Sequence, residues 1–214
     1  MVSGIILDLF GFCACNQQLT ALYDHYQVVD LRSKRNKVIL SLLIHQGLTT
    51  DELRRLEPVH LKLRSGKIWI PGSRHTGSRT LELKAHQVID LQEYVTKTRP
   101  QILTSIKKKT PRPARKAERT DWERLENQLF ISMNGSASIK SSLYHMMRAL
   151  RQINPKIKSC RHMRQSVITY WLKMHDLRKV QYMAGHKRIS STERYQVGHL
   201  EDLQEALKKY HPLK

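Results

Sequence analysis

The chain has 214 residues and carries 38 Lys plus Arg against 18 Asp plus Glu, a formal charge of +20. An apolar content of 40% suffices for one sizeable core and excludes wholesale disorder, and three cysteines exclude a disulfide-scaffolded domain. No stretch approaches the roughly 18 uncharged apolar residues of a membrane span, so a basic cytoplasmic protein with a polyanionic partner, nucleic acid before acidic lipid, is expected.

Residues 1–16 are apolar but lack a basic leader and are interrupted by Asp8, which argues against a secretory signal. They are read as an N-terminal stub, the remnant of something upstream. Cys13-Ala-Cys15 is too short and isolated to make a metal site. Leu19, Leu22, Tyr23 and Tyr26 predict a helix over residues 17–29. A second helix is predicted over 33–46, with Val38, Ile39, Leu42 and Leu43 inward and Gly47 as its stop. Thr49-Thr-Asp-Glu52 fits a capping box that opens a short helix through Leu56, with Pro58 beyond it.

Alternating apolar and polar residues predict three strands over 60–64, 67–70 and 79–83. A basic loop with two glycines, residues 71–78, joins the last two. A helix over 85–98 follows. Residues 107–119 hold seven basic residues, one acid and two prolines, and read as a basic loop or tether. Residues 128–132 are predicted as a strand and Asn134-Gly135 as a turn. Helices are then predicted over 138–151, over 160–174 behind the Ser159 cap, from Asp176 to Gly185, and over 200–210.

The second half carries an ordered set of groups suited to phosphate chemistry. Arg161 and Arg164, three apart near a helix start, share a face and offer two guanidinium forks to a phosphodiester beside the helix N-terminus. His186 follows Gly185, and Tyr195 lies nine residues later. Taken singly, each has a bland reading: a solvated face, a cap residue, a packed ring.

Together, Arg161-His-Met-Arg164-Gln-Ser166 and the run from Leu177 through Gly185-His186 to Ser191-Thr-Glu-Arg-Tyr195 resemble the two catalytic boxes of the tyrosine recombinase (phage integrase) family. Gly47-Leu-Thr-Thr-Asp-Glu-Leu53 and the three strands resemble the family's preceding segments. The likeness spans residues 17–214, the catalytic domain alone. The core-binding domain that most members carry before it has no counterpart; a fragment, a remnant gene and a genuinely short form all stay open. The fold implied is α+β, mainly helical with a small three-stranded antiparallel sheet.

The resemblance implies that Tyr195 attacks a DNA phosphodiester to form a 3′-phosphotyrosyl link and release a 5′-hydroxyl. No ATP, metal or other cofactor is needed, because the link conserves bond energy. Arg164 and Arg161 stabilise the transition state, and His186 bonds a non-bridging oxygen or assists the proton traffic. A basic residue of the 71–78 loop protonates the leaving oxygen. Three departures stand out. The family's first arginine falls on Thr49, which reads as a helix cap, with Arg54 and Arg55 the nearest cations. Its first histidine falls on Arg161. Its hairpin lysine has no counterpart in the loop; Arg74 is nearest in register and Arg79 next, though a guanidinium holds its proton too tightly to be a good acid.

The partner implied is double-stranded DNA, bound by a homo-tetramer that is a monomer when free, with no small-molecule substrate and no membrane. The role expected is recombination for a mobile element or a DNA inversion switch. The alternatives are a degenerate relative that binds DNA without cutting it, an unrelated basic RNA or ribosome binder, and, less well fitted by the second box, a type IB topoisomerase. An aromatic content of 7% disfavours a base-stacking single-strand reader.

Overall fold

The computed structural model describes residues 16–108, 122–136 and 138–195. The stub with Cys13 and Cys15, nearly all of the basic loop and the predicted last helix lie outside the described residues.

Helix α1 (Asn16–Asp24) is shorter than predicted. Helix α2 (Leu31–Gln46) begins two residues early, because Asp30 caps it: its carboxylate accepts from the Ser33 N–H and the Ser33 hydroxyl returns to the Asp30 N–H. Seven successive residues of α2, Val38 to Ile44, are buried, so the helix is enclosed on all faces. Helices α1, α4 (Ala85–Glu93), α5 (Arg99–Lys108), α7 (Lys140–Ile153) and α8 (Cys160–Met174) pack around it. Gly47 ends α2 at φ 57°, a conformation that costs glycine little. The capping box opens α3 (Thr50–Arg55) as predicted.

The sheet is antiparallel in the order β1 (Leu61–Lys62), β2 (Lys67–Ile70), β3 (Arg79–Glu82). Strand β1 is reduced to two residues because 3₁₀ turns, Pro58–His60 and Leu63–Ser65, take over either side of it. The register pairs Ile68 with Leu81 and Ile70 with Arg79.

The predicted helix over 85–98 continues to Lys108. Pro100 has no N–H to give, and the chain widens into a π turn, Tyr94–Thr98, in which the Arg99 N–H bonds back to the Tyr94 carbonyl. After α6 (Trp122–Asn127), residues 128–132 are not a strand, which corrects the prediction. This buried segment has no ladder partner, and side chains meet its carbonyls instead. Arg99 binds the Gln128 carbonyl, the Tyr94 hydroxyl that of Leu129 and Arg35 that of Ile131. Ser159 caps α8 and Asp176 caps α9 (Leu177–Ala184), which Gly185 ends at φ 68°. No described helix is long and apolar enough to cross a membrane.

Candidate active site

Five separate segments meet at one point: the end of α2, the start of α3, the start of β3, the first half of α8, and the chain from Gly185 to the helical turn at residues 190–195. Arg164 joins them. It is 7% exposed, and its guanidinium donates from Nη1 to the Gly47 carbonyl at 2.5 Å and from Nη2 to the Ala184 carbonyl at 2.6 Å. Both acceptors are carbonyls at helix ends, which the helices leave unsatisfied. Two left-handed glycine stops thus prepare the seat of one arginine.

Nη2 of Arg164 also lies 3.3 Å from His186 Nε2, and His186 Nδ1 lies 2.9 Å from the Thr192 hydroxyl. A guanidinium only donates, so Nε2 accepts and the ring proton sits on Nδ1, pointing at Thr192. The Tyr195 ring stacks on His186 with centroids 5.9 Å apart and planes 12° from parallel. Tyr195 is partly buried against the core, and its phenol interacts electrostatically with Arg164. Burial, then the charges of Arg164 and Arg79, pull the His186 imidazole down to about 4.

The other two predicted site residues stand apart from this network. Arg161 is exposed on the first turn of α8, and Arg74 is exposed at the tip of the β2–β3 loop. The loop itself is tied to the centre: Thr76 pairs with His186 as an isolated β-bridge, and the Gly77 N–H donates to the Gly185 carbonyl at 2.9 Å. Thr49 caps α3, its hydroxyl accepting from the Glu52 N–H. Neither neighbouring cation replaces it: Arg54 pairs with Asp51, and Arg55 pairs with Asp51 and donates to the Gly72 carbonyl.

Two members of the cluster have roles not predicted from the sequence, in which Glu52 is only a capping-box partner and Arg79 only the second candidate for the hairpin lysine. Glu52 and Arg79 form an ion pair at 2.6 Å with both side chains 0% exposed. Burial alone raises a carboxyl's pKa, but the bond and charge of Arg79, the Thr49 N–H and the charge of Arg164 outweigh it and hold Glu52 below its ordinary value. Arg79 further donates from Nε to the Met183 carbonyl at 2.7 Å. The signal for Arg79 lay in the strand alternation, which puts it on the same face as buried Leu81.

The low imidazole pKa values fix the sign of the acid response. His186 and His45, both brought to about 4 and both mainly by burial, are neutral in the fold, whereas the unfolded value is 6.5. The unfolded chain therefore binds more protons below 6.5, and stability falls as pH drops from there toward 4. Urea midpoints taken between about pH 7 and about pH 4.5 are expected to decline steadily. His45→Gln and His186→Gln should each flatten that decline, and an unchanged slope in both would show that other groups carry it.

Residues 15–200 match the model of the phage integrase family. Among curated proteins, the chain is 29% identical over 182 residues to the tyrosine recombinase XerC of Pelotomaculum thermopropionicum, covering 83% of this chain and 54% of that protein. It is 25% identical over 198 residues to XerD of Staphylococcus saprophyticus, covering 91% and 61%. The chain thus spans little more than half the length of these relatives. Among solved structures, it superposes on the XerA recombinase with a TM-score of 0.64 at 19% identity, over 94% of this chain and 66% of that one. It superposes on the XerH recombinase bound to palindromic difH, a post-cleavage complex, with a TM-score of 0.67 at 20% identity, over 94% and 54%.

Proposed function

The chain belongs to the phage integrase family, and from that premise we propose that it cuts and rejoins duplex DNA at specific sites through a 3′-phosphotyrosyl intermediate. The observation that carries this reading is the convergence of Arg164, His186 and Tyr195 from distant segments onto one centre. The Tyr195 hydroxyl gives up its proton as its oxygen bonds to phosphorus and the bond from phosphorus to the 5′-oxygen breaks, and the 5′-oxygen takes up a proton in turn. Resealing is the reverse. Arg164, already rigid, stabilises the charge that builds on the non-bridging oxygens, and Arg161 approaches the same phosphate from the open end of α8. His186 relays protons, or bonds a non-bridging oxygen once Nε2 carries a proton; in the DNA-free chain the ring proton sits on Nδ1 and Nε2 accepts from Arg164. Arg74, on a loop anchored to His186, serves the leaving oxygen. That the XerH neighbour was solved on a DNA substrate supports duplex DNA as the partner. The free chain is a monomer that assembles as a homo-tetramer on two sites, serving a mobile element or an inversion switch.

A suicide duplex of the cognate site, nicked near the crossover, should trap a covalent adduct, and Tyr195→Phe should abolish it. A second reading rests on Thr49, whose hydroxyl is committed to a helix cap where a catalytic arginine is expected. It holds that the chain binds DNA without cutting it. Salt-sensitive duplex binding unaffected by Tyr195→Phe, with no adduct from either protein, would establish it instead.

A further inference from the structure

Four charged or ionisable groups, Glu52, Arg79, Arg164 and His186, share the buried side of the centre, and only one of them is an acid. The division of that acid between the two arginines is unequal. Arg79 takes Glu52 with both arms, Nη1 at 2.6 Å from Oε1 and Nη2 at 3.3 Å from Oε2. The remaining capacity of Oε2 goes to the Thr49 N–H at 2.9 Å. Arg164 stands 3.8 Å from Oε2, beyond hydrogen-bond range, and is held by two neutral carbonyls. We propose that Arg79 is a positioning residue for the cleavage reaction: it neutralises Glu52, so that Arg164 is held in place by dipoles and keeps its charge for the phosphodiester.

This inference rests on the recombinase reading for its consequence but not for its geometry. Arg79 has no access to DNA, being buried, and acts only through Glu52 and the chain around Gly185. A side-chain carbon added at Gly185 would sit 2.3 Å from Arg79 Nη1, so the guanidinium packs directly on the turn that delivers His186. Without Arg79, the lone carboxylate attracts Arg164, drawing the guanidinium from the Gly47 and Ala184 carbonyls and cancelling its charge. A neutral pair at both positions leaves Arg164 as it is in the native protein, since a buried ion pair can be exchanged for neutral groups of similar size at little cost.

The test compares Arg79→Met with the double variant Arg79→Met/Glu52→Gln, using two measurements. The first is the titration of the His186 ring by NMR in the DNA-free protein. The single variant removes one cation and should raise the His186 pKa by about one unit, and the double variant should return it to the native value, because it again leaves one net positive charge. The second is the rate of adduct formation on the nicked duplex. The single variant should lose about 100-fold, and the double should recover most of it. A role limited to packing returns the titration, which follows the net charge, but leaves the double variant as slow as the single. A double variant as impaired as the single, or one that fails to fold, overturns the proposal, as does a single variant with native rate and native titration. If Arg79→Met alone does not fold, a native-like adduct rate in the double variant carries the proposal and a slow one overturns it. If the native protein forms no adduct, the recombinase reading fails, and the DNA-free titration of the single variant still decides whether Arg79 neutralises Glu52.

Discussion

Arg164→Ala is expected to reduce adduct formation by at least about 10²–10³-fold, the usual cost of losing one preorganised donor to a transition state. The loss should exceed that of any other single side chain here except Tyr195, because Arg164 acts twice. Its Nη1 and Nη2 bonds to Gly47 and Ala184 tie the end of α2 to the end of α9, and the same guanidinium anchors His186. Hydrogen bonds from a charged donor are worth about 1.5–3 kcal/mol each, so the variant should also lose about 3 kcal/mol of stability. The two effects separate experimentally. Urea midpoints report the structural part, and adduct rates per folded molecule report the chemical part. Arg164→Lys keeps the charge but has a single point donor that cannot span two carbonyls and a phosphate. It should fold better than the alanine variant yet remain at least about tenfold slow. Native rates in Arg164→Lys would mean that charge alone suffices and that the fork geometry is incidental.

The parts of this centre that depend on local chain chemistry were legible in the sequence. Ser159, Asp176 and Thr49 are caps whose partners lie three residues on, and Gly47 and Gly185 are stops that need only a left-handed residue. Those features place Arg164 within α8 and His186 just past α9, and the box spacing puts Tyr195 on the next helical turn. What required the fold was any choice made by distant partners. Residues 128–132 have the apolar composition of a strand. They become an irregular buried segment because Arg35, Tyr94 and Arg99, all remote in sequence, occupy their carbonyls. Arg74 and Arg79 are equally basic in the sequence. Strand alternation puts Arg79 on the buried face with Leu81, but that it meets Glu52 there is settled only by the fold, while Arg74 stays in solvent. Glu52 itself belongs to a visible capping box, yet that motif accounts for only one of its two oxygens. The other faces a cation 27 residues away.

The second large effect falls on stability and leaves the chemistry alone. Arg35 is fully buried, and among the described residues no carboxylate pairs with it. Burial accordingly pulls its pKa down, although Tyr94, Tyr26 and Asp30 partly compensate. It is retained because it satisfies acceptors that nothing else reaches: Nη1 donates to the Ile131 carbonyl at 2.7 Å, and Nε and Nη2 donate to Asn36 Oδ1 at 3.2 and 2.8 Å. Arg35→Met fills much of the same space and removes the desolvated charge, which favours the variant. It also orphans two buried acceptors, each costing about 1–3 kcal/mol. The acceptors should win, giving a net loss of about 2–4 kcal/mol, read as a lower urea midpoint at unchanged slope. Amide exchange should rise first in residues 128–132, which lose the Arg35 bond that ties them to α2. Arg35 lies twelve residues before Gly47 on α2, about 18 Å along the helix, so the molecules that remain folded should form adduct at the native rate. A midpoint equal to or above the native one would show instead that the buried charge outweighs the bonds it makes, and that the Tyr94 and Arg99 bonds and the apolar side chains suffice to hold the segment from Gln128 to Ser132.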